Sequence, residues 1–166
     1  VLEIPVEGRV VGTGCDDLII ATEATTSIDA GDGNDTIVGD NVSTSAGDQI
    51  NGGAGTDTLK LYGAAVKPSF TGVEKVYLNG NTAGFDVSTN SEVTNLDLDD
   101  ATTAQTYTIK SGQAVSVANM VAGEVIDFAG NTVTSLQMGL NAVAATGADA
   151  TVDLNSAAQT SLDITT

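Results

Sequence analysis

Histidine and tryptophan are absent from this chain, and cysteine occurs once, as Cys15. Without histidine there is no His-based triad, no paired-histidine zinc site and no use of the commonest general base. A lone cysteine closes no disulfide within the chain. Cys15 occupies a variable position of a turn, where we read it as incidental. Positive charge is also scarce. Five basic residues, Arg9, Lys60, Lys67, Lys75 and Lys110, lie scattered among 22 acidic ones, for a formal charge of −17. That balance argues against nucleic acid or an anionic membrane as a partner. No apolar run is long enough to span a bilayer, so membrane insertion is not expected. No secretory leader is visible at Val1, and we expect a processed or excised piece of something longer. High net charge also fits disorder. Against that, 41% of the residues are apolar, and they recur in short alternating runs.

Glycine, by contrast, is plentiful and ordered. Gly52-Gly53-Ala54-Gly55-Thr56-Asp57-Thr58-Leu59-Lys60 fits the nonapeptide G-G-x-G-x-D-x-U-x at every defined position. Its glycines let the backbone curl through angles that other residues avoid. Its aspartate brings a hard anionic oxygen, suited to Ca²⁺. Its apolar residue, Leu59, faces a core. The stretch Ala30-Gly31-Asp32-Gly33-Asn34-Asp35-Thr36-Ile37-Val38 fits with Ala at the first glycine. Val11-Gly12-Thr13-Gly14-Cys15-Asp16-Asp17-Leu18-Ile19 fits with Val there. The key aspartates are then Asp16, Asp35 and Asp57, spaced by 19 and 22 residues. Two nonapeptides make a coil of about 18 residues, so the three turns can stack on one side of a solenoid. A partial turn, Ala46–Asn51, falls on the opposite side.

Stacked turns of this kind predict Ca²⁺ in the gaps. One ion is expected between residues 12–16 and 31–35, another between 31–35 and 53–57. Asp16, Asp35 and Asp57 supply carboxylates; Gly12, Gly14, Gly31, Gly33, Gly53 and Gly55 supply carbonyls. Asp32 and Asp48 fit either a ligand or a solvated side chain. Asp97, Asp99, Asp100, Asp149 and Asp153 read as solvated. Six to eight oxygens are needed, and only adjacent turns together provide them. The alternative is a set of ordinary Gly/Asn/Asp turns in an all-β protein.

Beyond a junction at residues 64–69, where Pro68 interrupts any ladder, a second period appears. Val73-x-x-Val76-x-Leu78 returns as Val93-x-x-Leu96-x-Leu98 and as Val133-x-x-Leu136-x-Met138, with Val152-Asp153-Leu154 as a weaker echo. Ala114-Val115-Ser116-Val117 lies near the expected phase but breaks the pattern. Phe85–Val87, Tyr107–Ile109, Val125–Phe128 and Leu162–Ile164 interleave as a second set. Two short strands per coil of roughly 20 residues predict an all-β parallel β-solenoid. Residues 1–62 form its calcium-binding β-roll segment, and residues 63–166 a continuous segment without clear calcium motifs. An antiparallel sandwich is the rival. The Ala-rich residues 136–148 leave room for one short helix.

Residues 11–62 resemble the repeats-in-toxin group of calcium-dependent secreted proteins. Thr58-Leu59-Lys60-Leu61-Tyr62, followed by Phe70-Thr71-Gly72-Val73-Glu74-Lys75-Val76-Tyr77-Leu78-Asn79, is similar to a narrower set: type I-secreted surface-layer proteins of Gram-negative bacteria. The resemblance implies an extracellular or cell-surface place on a bacterium and a structural, self-assembling role. The partners would be further copies of the chain, as oligomer, array or filament, and cell-surface polysaccharide. It equally allows a passive calcium-folded module of a larger secreted adhesin or hydrolase. The residues themselves offer no catalytic constellation. Asp99 and Asp100 are adjacent, so they point to opposite faces of a strand. An enzyme is not expected. An ice-binding ladder is set aside, because Thr106-Tyr107-Thr108 and Thr132-Val133-Thr134 are out of register.

Overall fold

Period-two alternation of apolar and polar residues makes strands with one buried face. Leu59 and Leu61 point inward between Thr58, Lys60 and Tyr62, and the same alternation repeats along the chain. The computed structural model describes residues 8–63, 67–100, 105–119, 125–129, 135–141, 151–155 and 161–165. These residues form a parallel β-solenoid without helix. Its long sheet has eight strands: β2 (Leu18–Ile20), β4 (Thr36–Asp40), β6 (Thr58–Tyr62), β8 (Lys75–Asn79), β10 (Asn95–Asp99), β12 (Ala114–Ala118), β14 (Ser135–Asn141) and β16 (Ser161–Thr165). The opposite side is two four-stranded sheets. The first holds β1 (Arg9–Val11), β3 (Ser27–Asp29), β5 (Gln49–Asn51) and β7 (Ser69–Thr71). The second holds β9 (Phe85–Asp86), β11 (Gln105–Thr108), β13 (Val125–Ala129) and β15 (Thr151–Asn155). All strand pairings among the described residues are parallel, which excludes the sandwich.

Register stacks like on like. Ile19, Ile37, Leu59, Val76, Leu96 and Val115 form one column along the inside of the long sheet. Leu61, Leu78, Leu98 and Val117 form a second. These side chains are buried, and each contributes roughly 1.5–3 kcal/mol of hydrophobic stabilisation. Facing them are Val10, Ile28, Ile50 and Phe70, and then Phe85, Tyr107 and Phe128. Four of the six aromatic rings thus lie on this side, with Tyr62 and Tyr77 on the long sheet, and burial pushes the Tyr107 hydroxyl up to about 12.

The long sheet runs unbroken past residue 63, because β6 pairs with β8. The opposite side breaks between β7 and β9, and side chains bridge the gap. Phe70 and Phe85 stack with centroids 6.4 Å apart. The Lys67 ammonium lies 5.1 Å from the Phe70 centroid and 5.8 Å from that of Phe85. It donates to the Asp86 carbonyl and, at 2.9 Å, to Asn90 Oδ1. Asn90 Nδ2 donates to the Phe70 carbonyl at 2.8 Å.

The second half departs from the sequence reading in phase. Ala114–Ala118 is a regular rung, not an interruption. Met138 pairs with Val115, two residues out of the phase that Leu98 suggested, and Val133 lies outside the described residues. Thr151–Asn155 belongs to the short side and Ser161–Thr165 to the long sheet, the reverse of the expected assignment. Arc lengths vary from coil to coil, so a fixed period accumulates error. Ser135–Asn141 is a strand, not the start of a helix; it holds no alanine, Leu136, Met138 and Leu140 alternate with polar residues or glycine, and the segment pairs with β12. The remainder of 136–148 lies outside the described residues, as does Asp149.

Candidate metal centre

The turns that precede β2, β4 and β6 stack, and their register is set by the strands that follow. Leu18, Thr36 and Thr58 are partners. Asp17, Asp35 and Asp57 therefore form the acidic column, and Asp16 aligns with Asn34 instead. The first spacing is 18 residues, not the 19 that Asp16 gave. Asp16 is exposed, and its Oδ1 accepts from the Asn34 amide at 2.7 Å. The glycines move with this shift. Gly12 stacks beneath Ala30, and Gly14 is exposed with open space where a Cβ would be.

In the next two turns the glycines coincide. Gly53 has φ +100°, and a Cβ there would fall 1.9 Å from the Gly31 carbonyl oxygen. Gly55 has φ +143°, with the Gly33 oxygen at 1.8 Å. Only glycine allows both the left-handed backbone and this approach. In the first turn Thr13 and Cys15 lie beneath Gly31 and Gly33. Asp32 is exposed and forms a bridge with Ala54. Asp48 stands apart from the column, binding the amide and hydroxyl of Ser45 at 2.6 and 3.0 Å.

Each carboxylate reaches back one coil. Asp35 Oδ1 accepts from the Asp17 amide at 2.8 Å, and Asp57 Oδ1 from the Asp35 amide at 2.7 Å. Glu74, which the sequence reading did not place in the site, continues the series: its Oε2 accepts from the Asp57 amide at 2.7 Å. The signal was present in the register of Lys75, one coil after Thr58.

The second oxygens set the members apart. Asp17 Oδ2 accepts from the Thr13 amide at 2.6 Å and its hydroxyl at 2.8 Å, and these bonds hold its carboxyl below the usual range. Gly31 and Gly53 replace Thr13 in the next coils and bring no hydroxyl. Oδ2 of Asp35 and Oδ2 of Asp57 are buried with no hydrogen-bond partner. The residues themselves are 1% and 0% exposed. Burial pushes both carboxyls up, their backbone hydrogen bonds partly offset it, and the neighbouring acids Asp57 and Glu74 push them further.

No protein-family model, curated protein or solved structure matches the chain. Among the described residues the only ion pair joins Arg9 to Asp29 at 3.6 Å, so neither Asp35 nor Asp57 is neutralised. No three acidic or cysteine side chains among the described residues converge on one point. A hard cation here would draw most of its oxygens from backbone carbonyls. The donor set fits such an ion: carboxylate and carbonyl oxygens alone, with two buried carboxylate oxygens unpartnered. An uncompensated buried charge costs several kcal/mol by order of magnitude, and a proton or a cation removes that cost.

Proposed function

We propose that this chain is a calcium-dependent, self-assembling structural protein of a bacterial surface layer or extracellular matrix. The observation that carries the reading is the pair of orphaned oxygens, Asp35 Oδ2 and Asp57 Oδ2, in a glycine-walled column without a counter-charge. Calcium would be held by these aspartates and by carbonyls of the stacked turns at Gly31, Gly33, Gly53 and Gly55. The ion supplies the positive charge that the coils lack. Without it the carboxylates repel, and glycine-rich turns lose the most entropy on ordering. Site formation and folding are then one event.

The assembly part rests on the surface. Leu18 and Ile20 are 56% and 51% exposed on β2, which ends the long sheet among the described residues. An apolar end strand favours pairing with another chain. The partners are further copies of this chain. Electron microscopy of the purified chain tests the proposal: arrays or filaments in calcium that dissolve in chelator support it. A monodisperse monomer at high protein and calcium concentration contradicts it and favours a passive calcium-folded module.

A further inference from the structure

Coil four carries no nonapeptide, yet its turn joins the acidic column. Asn51 pairs with Thr71, and Thr58 with Lys75. Gly72 therefore lies beside Gly52, and Glu74 beside Asp57. Four residues separate Gly52 from Asp57, but Val73 alone separates Gly72 from Glu74. An aspartate on so short a turn would fall back from the column. Glutamate has one more methylene, and its Oε2 reaches the Asp57 amide at 2.7 Å. It thus does for Asp57 what Asp57 does for Asp35.

The gap between coils three and four consequently holds two carboxylates. Asp57 is fully buried, with Oδ2 unpartnered. Glu74 is half-buried. The Gly72 carbonyl oxygen and Asp57 Oδ2 converge on the bare Cα of Gly52: a Cβ there would fall 1.8 Å from the first and 2.8 Å from the second. No basic side chain answers this charge. Lys75 is exposed on the outer face of β8, and the Lys60 ammonium lies 5.9 Å from the Tyr77 ring centroid.

We infer that this gap is a further divalent-cation site, lying outside the repeat motif. Asp57 and Glu74 are its carboxylate ligands, and the Gly72 carbonyl is a neutral donor. Oxygen-only donors with two negative charges select a hard ion of the calcium class. Glu74 then caps the Asp57 amide and closes the last ion's shell, while one coil on Glu92 Oε2 accepts from the Gly72 amide at 3.2 Å. The inference rests on the calcium reading above.

Calcium titration calorimetry of the full chain tests it through Glu74→Gln. Glutamine keeps an oxygen for the Asp57 amide and removes the charge. The variant is expected to bind one calcium ion fewer per chain, with its other sites unchanged. Stoichiometry and affinity equal to those of the unchanged chain overturn the inference and leave the calcium reading standing. An unchanged chain that binds no calcium overturns both. Should Glu74→Gln lose its circular dichroism, Glu74→Asp decides. It keeps the charge but shortens the reach, and should weaken the last ion by about tenfold or more; undiminished binding overturns the inference.

Discussion

The Asp35 amide donates to Asp57 Oδ1 at 2.7 Å, between residues 22 apart in sequence and one rung apart in the solenoid. One oxygen of Asp57 thus ties two coils together, while the other, Oδ2, is buried and unpartnered. The same carboxylate is a structural hydrogen-bond acceptor and an open ligand.

Replacing Asp57 with asparagine separates those roles. The amide oxygen can still accept from Asp35, but the charge is gone. Calcium affinity should fall by about tenfold or more, because charged ligands set the affinity of such sites. In chelator the variant should be as stable as the parent or more so, since it buries no charge. Asp99→Ala is the control. The Asp99 carboxylate is engaged by the Tyr77 hydroxyl at 2.6 Å and by Asn119 Nδ2 at 2.6 Å. Losing it should cost about 1 kcal/mol of stability and leave calcium affinity unchanged. Equal calcium titrations for the two variants would contradict the assignment.

Acidity should act on the metal-free protein in an unusual direction. The folded carboxyls of Asp35 and Asp57 are raised, chiefly by burial. The folded state therefore binds more protons than the unfolded state between the ordinary aspartate value and the raised one. Stability in chelator should rise as pH falls through that window. Asp17, Asp40 and Asp99 are lowered by hydrogen bonds and oppose this trend at more acid pH, where protonation removes their contribution. Melting curves of the parent and an Asp35→Asn, Asp57→Asn double variant isolate the effect. The parent should gain on the variant as pH falls, and a constant difference would count against buried, uncompensated carboxylates.

The seam between the two short sheets should be indifferent to calcium. Lys67→Met removes the ammonium that joins the Asp86 carbonyl to Asn90 Oδ1. The expected loss is roughly 1.5–3 kcal/mol, the range for hydrogen bonds that involve a charged group. Chemical denaturation should show the same loss at every calcium concentration that keeps the chain folded. A loss that calcium abolishes would tie the seam to the metal column after all.

Assembly should depend on the apolar end strand. Leu18→Thr with Ile20→Thr keeps β-propensity and removes exposed apolar surface. Folding and calcium binding should be retained, and the onset of light scattering should move to higher protein concentration. Undiminished assembly would place the contact elsewhere on the solenoid.

Much of the fold was legible because its signals are local. Thr58–Tyr62 announces itself by apolar–polar alternation after a glycine-rich turn, and it is a strand. The acidic column was legible at Asp35 and Asp57, where the glycines fix the phase. It was off by one at Asp16 because two aspartates adjoin, and only pairing of Leu18 with Thr36 selects Asp17. Glu74 was hidden for another reason. Its turn is too short to match any repeat, and a longer side chain makes up the distance. The phase of Met138 was lost in the same way, since arcs of unequal length leave no mark in a fixed period.

The most direct measurement is a calcium titration of the full chain followed by circular dichroism and thermal melting. The account predicts that residues 8–63 are only weakly stable in chelator, that millimolar calcium raises both their β-signal and their melting temperature, and that sodium chloride at equal ionic strength does not. Identical spectra and identical melting curves in calcium and in chelator would contradict it.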